Sequence, residues 1–330
     1  MLPPVSLVWL NFNSMHLIEV TKKSVQALLE LDYDNAEIIL IDNHSTDGSA
    51  EVIEQLLLAK KKSGHNVRFV KLEKNWGPSG AMNIGNSMRN PDAKYLAFTH
   101  NDLIPKTDYL KKTVAYLETH EDVGAVQGIV VKLGDESTVD SYGFMMDEAL
   151  GTYPVYSGSV EGISKPKYVT FVEGSIPVYR LSAIKSAFGN NELYVTEGFM
   201  YYLEDAFVSL KLWAGSFKCI VLPVVVGSHY RMGTSNKVAK KTDLFHYFLR
   251  NHVALLYMTN SASKLGFFTQ NIRKLVFSKR TLAQRKAVLN ALTEGIRLGR
   301  RLKKKYGPLD LYCAPLVRNS LKSRLYHWLH

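Results

Sequence analysis

Apolar residues in this chain fall into short runs separated by longer amphipathic stretches. Val5-Ser-Leu-Val-Trp-Leu10, Glu37-Ile-Ile-Leu-Ile41, Val67-Arg-Phe-Val70 and Tyr95-Leu-Ala-Phe-Thr99 are rich in β-branched and aromatic residues and have the length of buried strands. The spacing between them predicts helices. The first runs from Ser14 as N-cap to about Leu31, with Leu17, Val20, Ser24, Ala27, Leu28 and Leu31 near one face. A second covers 49–62, and a third follows the Gly-rich loop Asn75-Trp-Gly-Pro-Ser-Gly80 through Asn83 and Met88. Such alternation predicts an open, mostly parallel sheet with helices on both faces. Further on, a helix is expected at 108–120, strands at 123–127 and 129–131, and a hairpin-containing excursion over 135–167. Strands at 168–172 and 176–179 and helices at 181–188 and 206–214 follow. The run 219–226 reads as a strand bent or ended by Pro223, and 243–257 as an amphipathic helix.

Polar residues gather where the predicted strands stop: Asn11 and Asn13, Asp42 and Asn43, then His100-Asn101-Asp102. One such residue is usually a turn former. Three strand ends in succession point to a ligand crevice, because the carboxyl ends of an open α/β sheet share one edge. Asp102 is an oxygen donor suited to a hard divalent cation, and such a cation is suited to a diphosphate. The Gly-rich loop has neither the Walker nor the dinucleotide spacing. Glu204-Asp205 opens a helix among Phe199, Tyr201, Tyr202 and Phe207. Acids there complement the helix dipole. A carboxylate beside aromatics is equally a general-base candidate. His229 ends a strand, either as a turn residue or as a metal or phosphate contact. The polar, basic stretch 231–241 reads as a loop over a phosphate-bearing ligand.

At 330 residues, 46% hydrophobic and 22% charged, the chain is globular with a sizeable core. Two cysteines argue against a disulfide framework or a cysteine-rich zinc site and suit a reducing compartment. The N-terminus has no signal-peptide pattern, and no apolar run approaches the roughly 18 residues of a spanning helix. A cytoplasmic location is expected. The net charge of +11 is unevenly placed: from Lys264 onward there are 16 Lys/Arg against Glu294 and Asp310, whereas the preceding residues are slightly acidic. A helix over 281–305 would put Leu282, Leu289, Leu292 and Ile296 on one face, with Arg297, Arg300, Arg301 and Lys303 to Lys305 crowding its end. The dipole accounts for part of this. The excess points to an anionic membrane surface, the inner face of the cell membrane. Nucleic acid is not the expected partner, because no recognition motif accompanies the patch. The expected organisation is a domain over 1–260, its nucleotide-binding part about 1–105 and its acceptor-binding part about 106–260, followed by a basic helical tail over 261–330.

Taken in order, these motifs resemble the inverting glycosyltransferases of family two, with a GT-A fold, and especially their rhamnosyltransferase-like branch. The resemblance covers roughly residues 4–257. Val5 to Asn13 looks like the opening strand and its Asn-containing turn, and Asp42-Asn-His-Ser-Thr-Asp-Gly-Ser49 like the D-N-x-S-x-D-G-S segment. The stretch 75–85 is similar to an N-x-G-x-x-x-A-x-N-x-G loop. His100-Asn-Asp102 stands at the D-x-D position, Glu204-Asp205 at the catalytic E-D pair, and Arg250-Asn251 at a late R-N element. The resemblance implies that Asp42 contacts the nucleotide base, with Leu10, Asn11, Asn13 and Asn43 bordering that pocket. It implies that Asn75, Gly77, Gly80, Asn83 and Asn101 lie near the nucleotide or donor sugar. It further implies that Asp102, with His229, holds Mg2+ or Mn2+ on the diphosphate, and that Asp205 is the base supported by Glu204. The donor would be a nucleoside-diphosphate sugar and the acceptor a glycan or lipid-linked hydroxyl. The sequence departs from the pattern at His100, which leaves the first metal contact open. The competing reading is a non-catalytic sugar-nucleotide or glycan-binding protein on the same fold.

Overall fold

The computed structural model describes residues 2–59, 64–189, 202–230, 241–277 and 281–317. The expected phosphate-covering loop at 231–241 lies outside them except for Lys241. The first half is built from β1 (Val5–Asn11), α1 (Ile18–Leu29), β2 (Ala36–Asp42), α2 (Ser49–Ala59), β3 (Asn66–Lys71), α3 (Gly77–Ser87) and β4 (Tyr95–His100). The four strands pair in parallel, in the order β3-β2-β1-β4, with Asn11 opposite Asp42 and Leu10 opposite His100. Every residue of β1 and β2 is buried, which is why their sequences are apolar without alternation.

The sheet continues through β5 (Leu103–Pro105), β6 (Val123–Lys132), β7 (Asp135–Ser141), β10 (Lys167–Tyr168), β11 (Val178–Arg180) and β12 (Lys218–His229). β11 lies antiparallel between β4 and β6, and β12 runs parallel to β6. The result is an open, mixed sheet in the order β10-β12-β6-β11-β4-β1-β2-β3, with β5 on β12 and β7 on β6. A separate hairpin pairs β8 (Phe144–Met146) with β9 (Thr152–Pro154). The remaining helices are α4 (Tyr109–Thr119), α5 (Leu181–Phe188), α6 (Glu204–Ala214), α7 (Lys241–Met258), α8 (Lys264–Phe277) and α9 (Leu282–Tyr306).

Alternate residues of the central strands feed two apolar layers. Leu7, Trp9, Ile38 and Leu40 meet α1 and α4, while Val8, Leu10, Ile39, Ile41 and Phe98 face α3 and α6. Leu298, Leu302 and Tyr306 of α9 belong to the second layer, and Val288, Ala291 and Leu292 pack on Leu249 and Val253 of α7.

Several local expectations are corrected. Ser14 does not cap α1: a 3-10 turn over Met15–Leu17 intervenes, and the Ser14 side chain makes no capping bond. The Gly-rich loop is already helical from Gly77, with Pro78 in the first turn, where its missing N–H costs nothing. The two strands expected at 123–131 are one continuous β6. Most of 168–172 is irregular, with only Lys167–Tyr168 in the main sheet. Pro223 does not end β12, because a register shift between Val221 and Val225 accommodates it. In α9, Leu292 is buried against α7 while Leu282 and Leu289 are exposed, so these leucines do not share one environment.

Candidate active site

The carboxyl ends of β1, β2 and β4 open onto a cavity of about 530 Å3. Its sheet side is lined by Leu10, Phe12, Asn43, Asn75, Pro78, His100, Asn101 and Asp102. His229, at the end of β12 and beside Asp102, lines the cavity too, as do Phe144, Thr152, Phe171, Glu173-Gly-Ser175, Tyr202, Leu203, Glu204, Asp205 and Phe248. The two expected ends of the reaction, Asp102 with His229 and Glu204 with Asp205, therefore face one space.

The polar strand ends form a scaffold beneath the cavity. Asn101 Nδ2 donates to Asn11 Oδ1 at 2.9 Å, and Asn11 Nδ2 donates to Asp42 Oδ1 at 2.8 Å. Asp42 also accepts from the Ser45 hydroxyl at 2.6 Å and the Ser45 N–H at 2.9 Å. Asn11 and Asp42 are buried beside the cavity and outside its lining. Asn13 sits in a left-handed turn (φ 45°) tied to Ser45 and Thr46. Asn43 bridges to α3: it donates to Asn75 Oδ1 and the Gly77 carbonyl and accepts from the Trp76 N–H. Gly77, Gly80 and Asn83 lie on α3 and do not line the cavity. Gly80 is needed for closeness: a Cβ there would stand 2.9 Å from Trp76 Cβ.

Asp102 Oδ1 lies 3.5 Å from His229 Nε2. Burial alone would raise the Asp102 pKa, but the hydrogen bond and charge of His229 hold it below the usual carboxylate range. Burial opposes charge on His229 as well. Its contacts with Asp102 and Asp140 outweigh this and raise it to about 10. His100 is pushed the other way by burial. Among the described residues no three His, Cys, Asp or Glu side chains converge as a metal cage. One carboxylate and one imidazole facing an open cavity suit a hard divalent cation whose remaining ligands come from a diphosphate and water.

Glu204 and Asp205 form the first turn of α6. Asp205 Oδ1 accepts from the Ala206 N–H at 2.8 Å and Oδ2 from the Gly174 N–H at 3.2 Å. Desolvation raises the pKa of both carboxyls, and the Asp205 charge raises Glu204 further. Glu204 retains some accessible surface as a residue, yet its Oε2 is sealed and has no hydrogen-bond partner among the described residues. The turn that delivers the pair is strained, with Tyr202 and Leu203 both at φ 68°. Asn251, fully buried on α7, donates from Nδ2 to the Tyr202 carbonyl at 3.0 Å. Arg250 holds Asn251 Oδ1 through Nε and Nη2 at 3.1 and 2.9 Å. The late Arg-Asn pair thus braces the carboxylates from behind.

Sequence reasoning did not find Glu173, Ser175, Phe144, Phe171, Tyr202 or Phe248 as site residues. Tyr202 and Phe248 meet edge-on at 6.0 Å and remain about two-fifths exposed, 40% and 39%, on the cavity side. An unexplained aromatic beside an acidic pair was the available signal for Tyr202.

Residues 6–188 match the sequence profile described as Glycosyl transferase family 2, more than half of the chain. A Bacillus subtilis (strain 168) glycosyltransferase, TuaG, provisionally assigned to teichuronic acid biosynthesis, is 26% identical over 140 residues, 42% of this chain and 52% of its own. The poly-beta-1,6-N-acetyl-D-glucosamine synthase of Staphylococcus epidermidis is 28% identical over 110 residues, 33% of this chain and 25% of its own. The chain thus spans about half, or less, of the curated relatives it matches. S. aureus TarS 1–349 in complex with UDP-GlcNAc superposes with a TM-score of 0.57 at 17% identity, covering 92% of this chain and 83% of that one. GalNAc-T7 with UDP, GalNAc and Mn2+ does so with a TM-score of 0.59 at 14% identity, covering 93% and 59%. These two structures share the fold, an open curled sheet of GT-A type. The matches do not single out the rhamnosyltransferase-like branch.

Proposed function

The chain belongs to glycosyl transferase family 2, and from that premise we propose that it transfers a hexose or deoxyhexose from a nucleoside-diphosphate sugar to an acceptor hydroxyl, with inversion. The acceptor is a glycan or lipid-linked glycan of a cell-surface polysaccharide. The observation that carries the reading is the convergence of Asp102 and His229 with Glu204 and Asp205 on one cavity at the strand ends.

Asp102 and His229 would hold Mg2+ or Mn2+, which supplies neutralisation of the diphosphate leaving group. The asparagine scaffold at the ends of β1, β2 and β4 and just before α3 orients the donor at the sheet edge. Asp205 accepts the proton of the acceptor hydroxyl as that oxygen bonds to the anomeric carbon and the bond to the diphosphate oxygen breaks. The N–H groups of Ala206 and Gly174 aim the Asp205 carboxylate. Glu204, with its raised proton affinity, stays neutral beside it and spares the pair a second buried charge. A single displacement with one base inverts the anomeric centre.

The test has two arms. A thermal-shift panel of UDP, GDP, dTDP and CDP, with and without Mn2+, should raise the melting temperature for one nucleotide in a metal-dependent way, and Asp102→Ala should abolish this. Asp205→Asn should retain that shift and lose transfer. No nucleotide response in the wild type refutes the transferase reading. Full turnover in Asp205→Asn refutes the assignment of the base.

The basic C-terminal helix supports a location at the inner face of the cell membrane. Leu282, Lys286, Leu289, Arg297, Arg300 and Lys304 recur at helical spacing on one exposed stripe of α9, with Leu282 71% and Leu289 50% exposed. Among the described residues no helix is long and apolar enough to cross a membrane. Wild type should sediment with vesicles containing phosphatidylglycerol and not with pure phosphatidylcholine, and a triple Arg297, Arg300, Lys304→Glu variant should stay in the supernatant. Equal sedimentation of both proteins rejects this docking face.

A further inference from the structure

The chemistry above gives no part to Asp140, an acid whose side chain is buried. Asp140 lies on β7 and His229 on β12, with β6 between them as the strand that both pair with. Asp140 Oδ2 stands 3.0 Å from His229 Nδ1, and the two side chains are 4% and 10% exposed. The other ring nitrogen, Nε2, points toward Asp102 and the cavity. The backbone around the ring is also fixed. The Leu133 N–H donates to the His229 carbonyl at 3.0 Å, and the Tyr230 N–H donates to the Asp102 carbonyl at 2.8 Å.

We infer that Asp140 is a positioning residue: it holds His229 in the tautomer that carries its proton on Nδ1 and so turns the Nε2 lone pair toward the divalent cation shared with Asp102. The inference rests on the metal-dependent reading proposed above. A neutral imidazole has one donor and one acceptor nitrogen, and an ionised carboxylate can only accept. Between the two carboxylates of the cation-free protein both ring nitrogens carry a proton; a cation bound at Nε2 takes the place of that proton, and the Asp140 carboxylate, which can only accept, keeps the other on Nδ1. A carboxylate behind a metal-binding histidine fixes its ring and raises its basicity, and losing it typically lowers metal affinity about 10–100-fold. Asp140 does this without touching donor or acceptor.

The experiment uses the full chain and Mn2+, read by loss of the free-ion EPR signal, alone and with UDP, GDP, dTDP or CDP. Wild type, Asp140→Ala, Asp140→Asn and His229→Ala are compared, with thermal unfolding as a folding control. The expected result is a 10–100-fold weaker Mn2+ affinity in Asp140→Ala at near-normal melting temperature. Asp140→Asn, which keeps an acceptor for Nδ1–H, should recover part of the loss. A merely structural role would move the melting temperature and not the affinity. Unchanged affinity in Asp140→Ala, with affinity lost in His229→Ala, overturns this inference and leaves the proposed function standing. Failure of the wild type to retain Mn2+ with any of the four nucleotides overturns the metal reading and this inference with it.

Discussion

Replacing Glu204 with glutamine should make the protein more stable. The side chain is buried at the start of α6, and desolvation, aided by the Asp205 charge, raises its pKa from 4.5 to about 8. In the unfolded chain the same carboxyl ionises freely at neutral pH. For a carboxyl with raised folded affinity, stability is fully present below the unfolded value and is lost as pH rises through the folded value. At about 1.4 kcal/mol per pH unit, the interval from 4.5 to pH 7 amounts to roughly 3 kcal/mol disfavouring the fold. Part of that belongs to the coupled pair and remains with Asp205, so a gain of roughly 2 kcal/mol is expected for Glu204→Gln. An amide keeps the shape and brings no ionisation. At about 2–4 °C per kcal/mol for domains of this order, the melting temperature should rise by several degrees at pH 7. The assay is thermal unfolding of both proteins from pH 4.5 to 9. The difference should be near zero at the acid end, grow with pH and level off above about 8. A difference that is independent of pH, or that shrinks as pH rises, would sink the argument.

The rate should depend on pH as well. As the proposed base, Asp205 must be ionised to accept a proton, and burial and the Glu173 charge raise its pKa, so the acid limb of kcat/KM should lie above the ordinary aspartate range, move down in Glu173→Gln and stay in place in Glu204→Gln, whose carboxyl is already neutral there. Asn251→Ala removes the donor to the Tyr202 carbonyl and unbraces the strained turn. Transfer should fall about 10–100-fold, the equivalent of roughly 1–3 kcal/mol, with nucleotide binding little changed in a calorimetric titration. In Gly85→Ala the added Cβ would stand 2.4 Å from Val8 Cγ1, so α3 must lift from β1. Overpacking of about 1–3 kcal/mol should exceed the helix-propensity gain and lower the melting temperature. Gly266→Ala, with nothing within 4 Å of the new methyl, should instead stabilise by up to about 1 kcal/mol.

The parallel N-terminal half of the sheet was largely legible because local signals agree there. Four apolar runs of strand length end in Asn or Asp, and parallel pairing brings those ends to one edge. Glu204-Asp205 stood out as acids at a helix start, although the turn before them did not. Nothing in tyrosine or leucine favours φ 68°, and that conformation is held by Asn251 from a helix far along the chain. Glu173, Phe144 and Phe171 come from an excursion with little periodicity and reach the cavity only through long-range packing. Asp140 was hidden in the same way: β7 is exposed at its start and turns inward only near its end, and its significance depends on a histidine two strands away. Of the bend or stop expected at Pro223, the stop does not occur: a register shift between Val221 and Val225 carries β12 past the missing donor.

The seam between α7 and α9 has a consequence for genetics. Gly295 and Gly299 let the two helices meet backbone to backbone: a methyl group at 295 would stand 2.6 Å from the Arg250 carbonyl oxygen, and one at 299 stands 2.7 Å from that of Ala254. Arg250 adjoins Asn251, and Asn251 grips the turn that presents Asp205. In a random-mutagenesis screen for lost transfer, alleles at 295 and 299 would score with the catalytic alleles although neither glycine lines the cavity. They would map to a stretch whose charge alone suggests a dispensable anchor. Deleting that stretch would remove the far side of the vice that holds the proposed base.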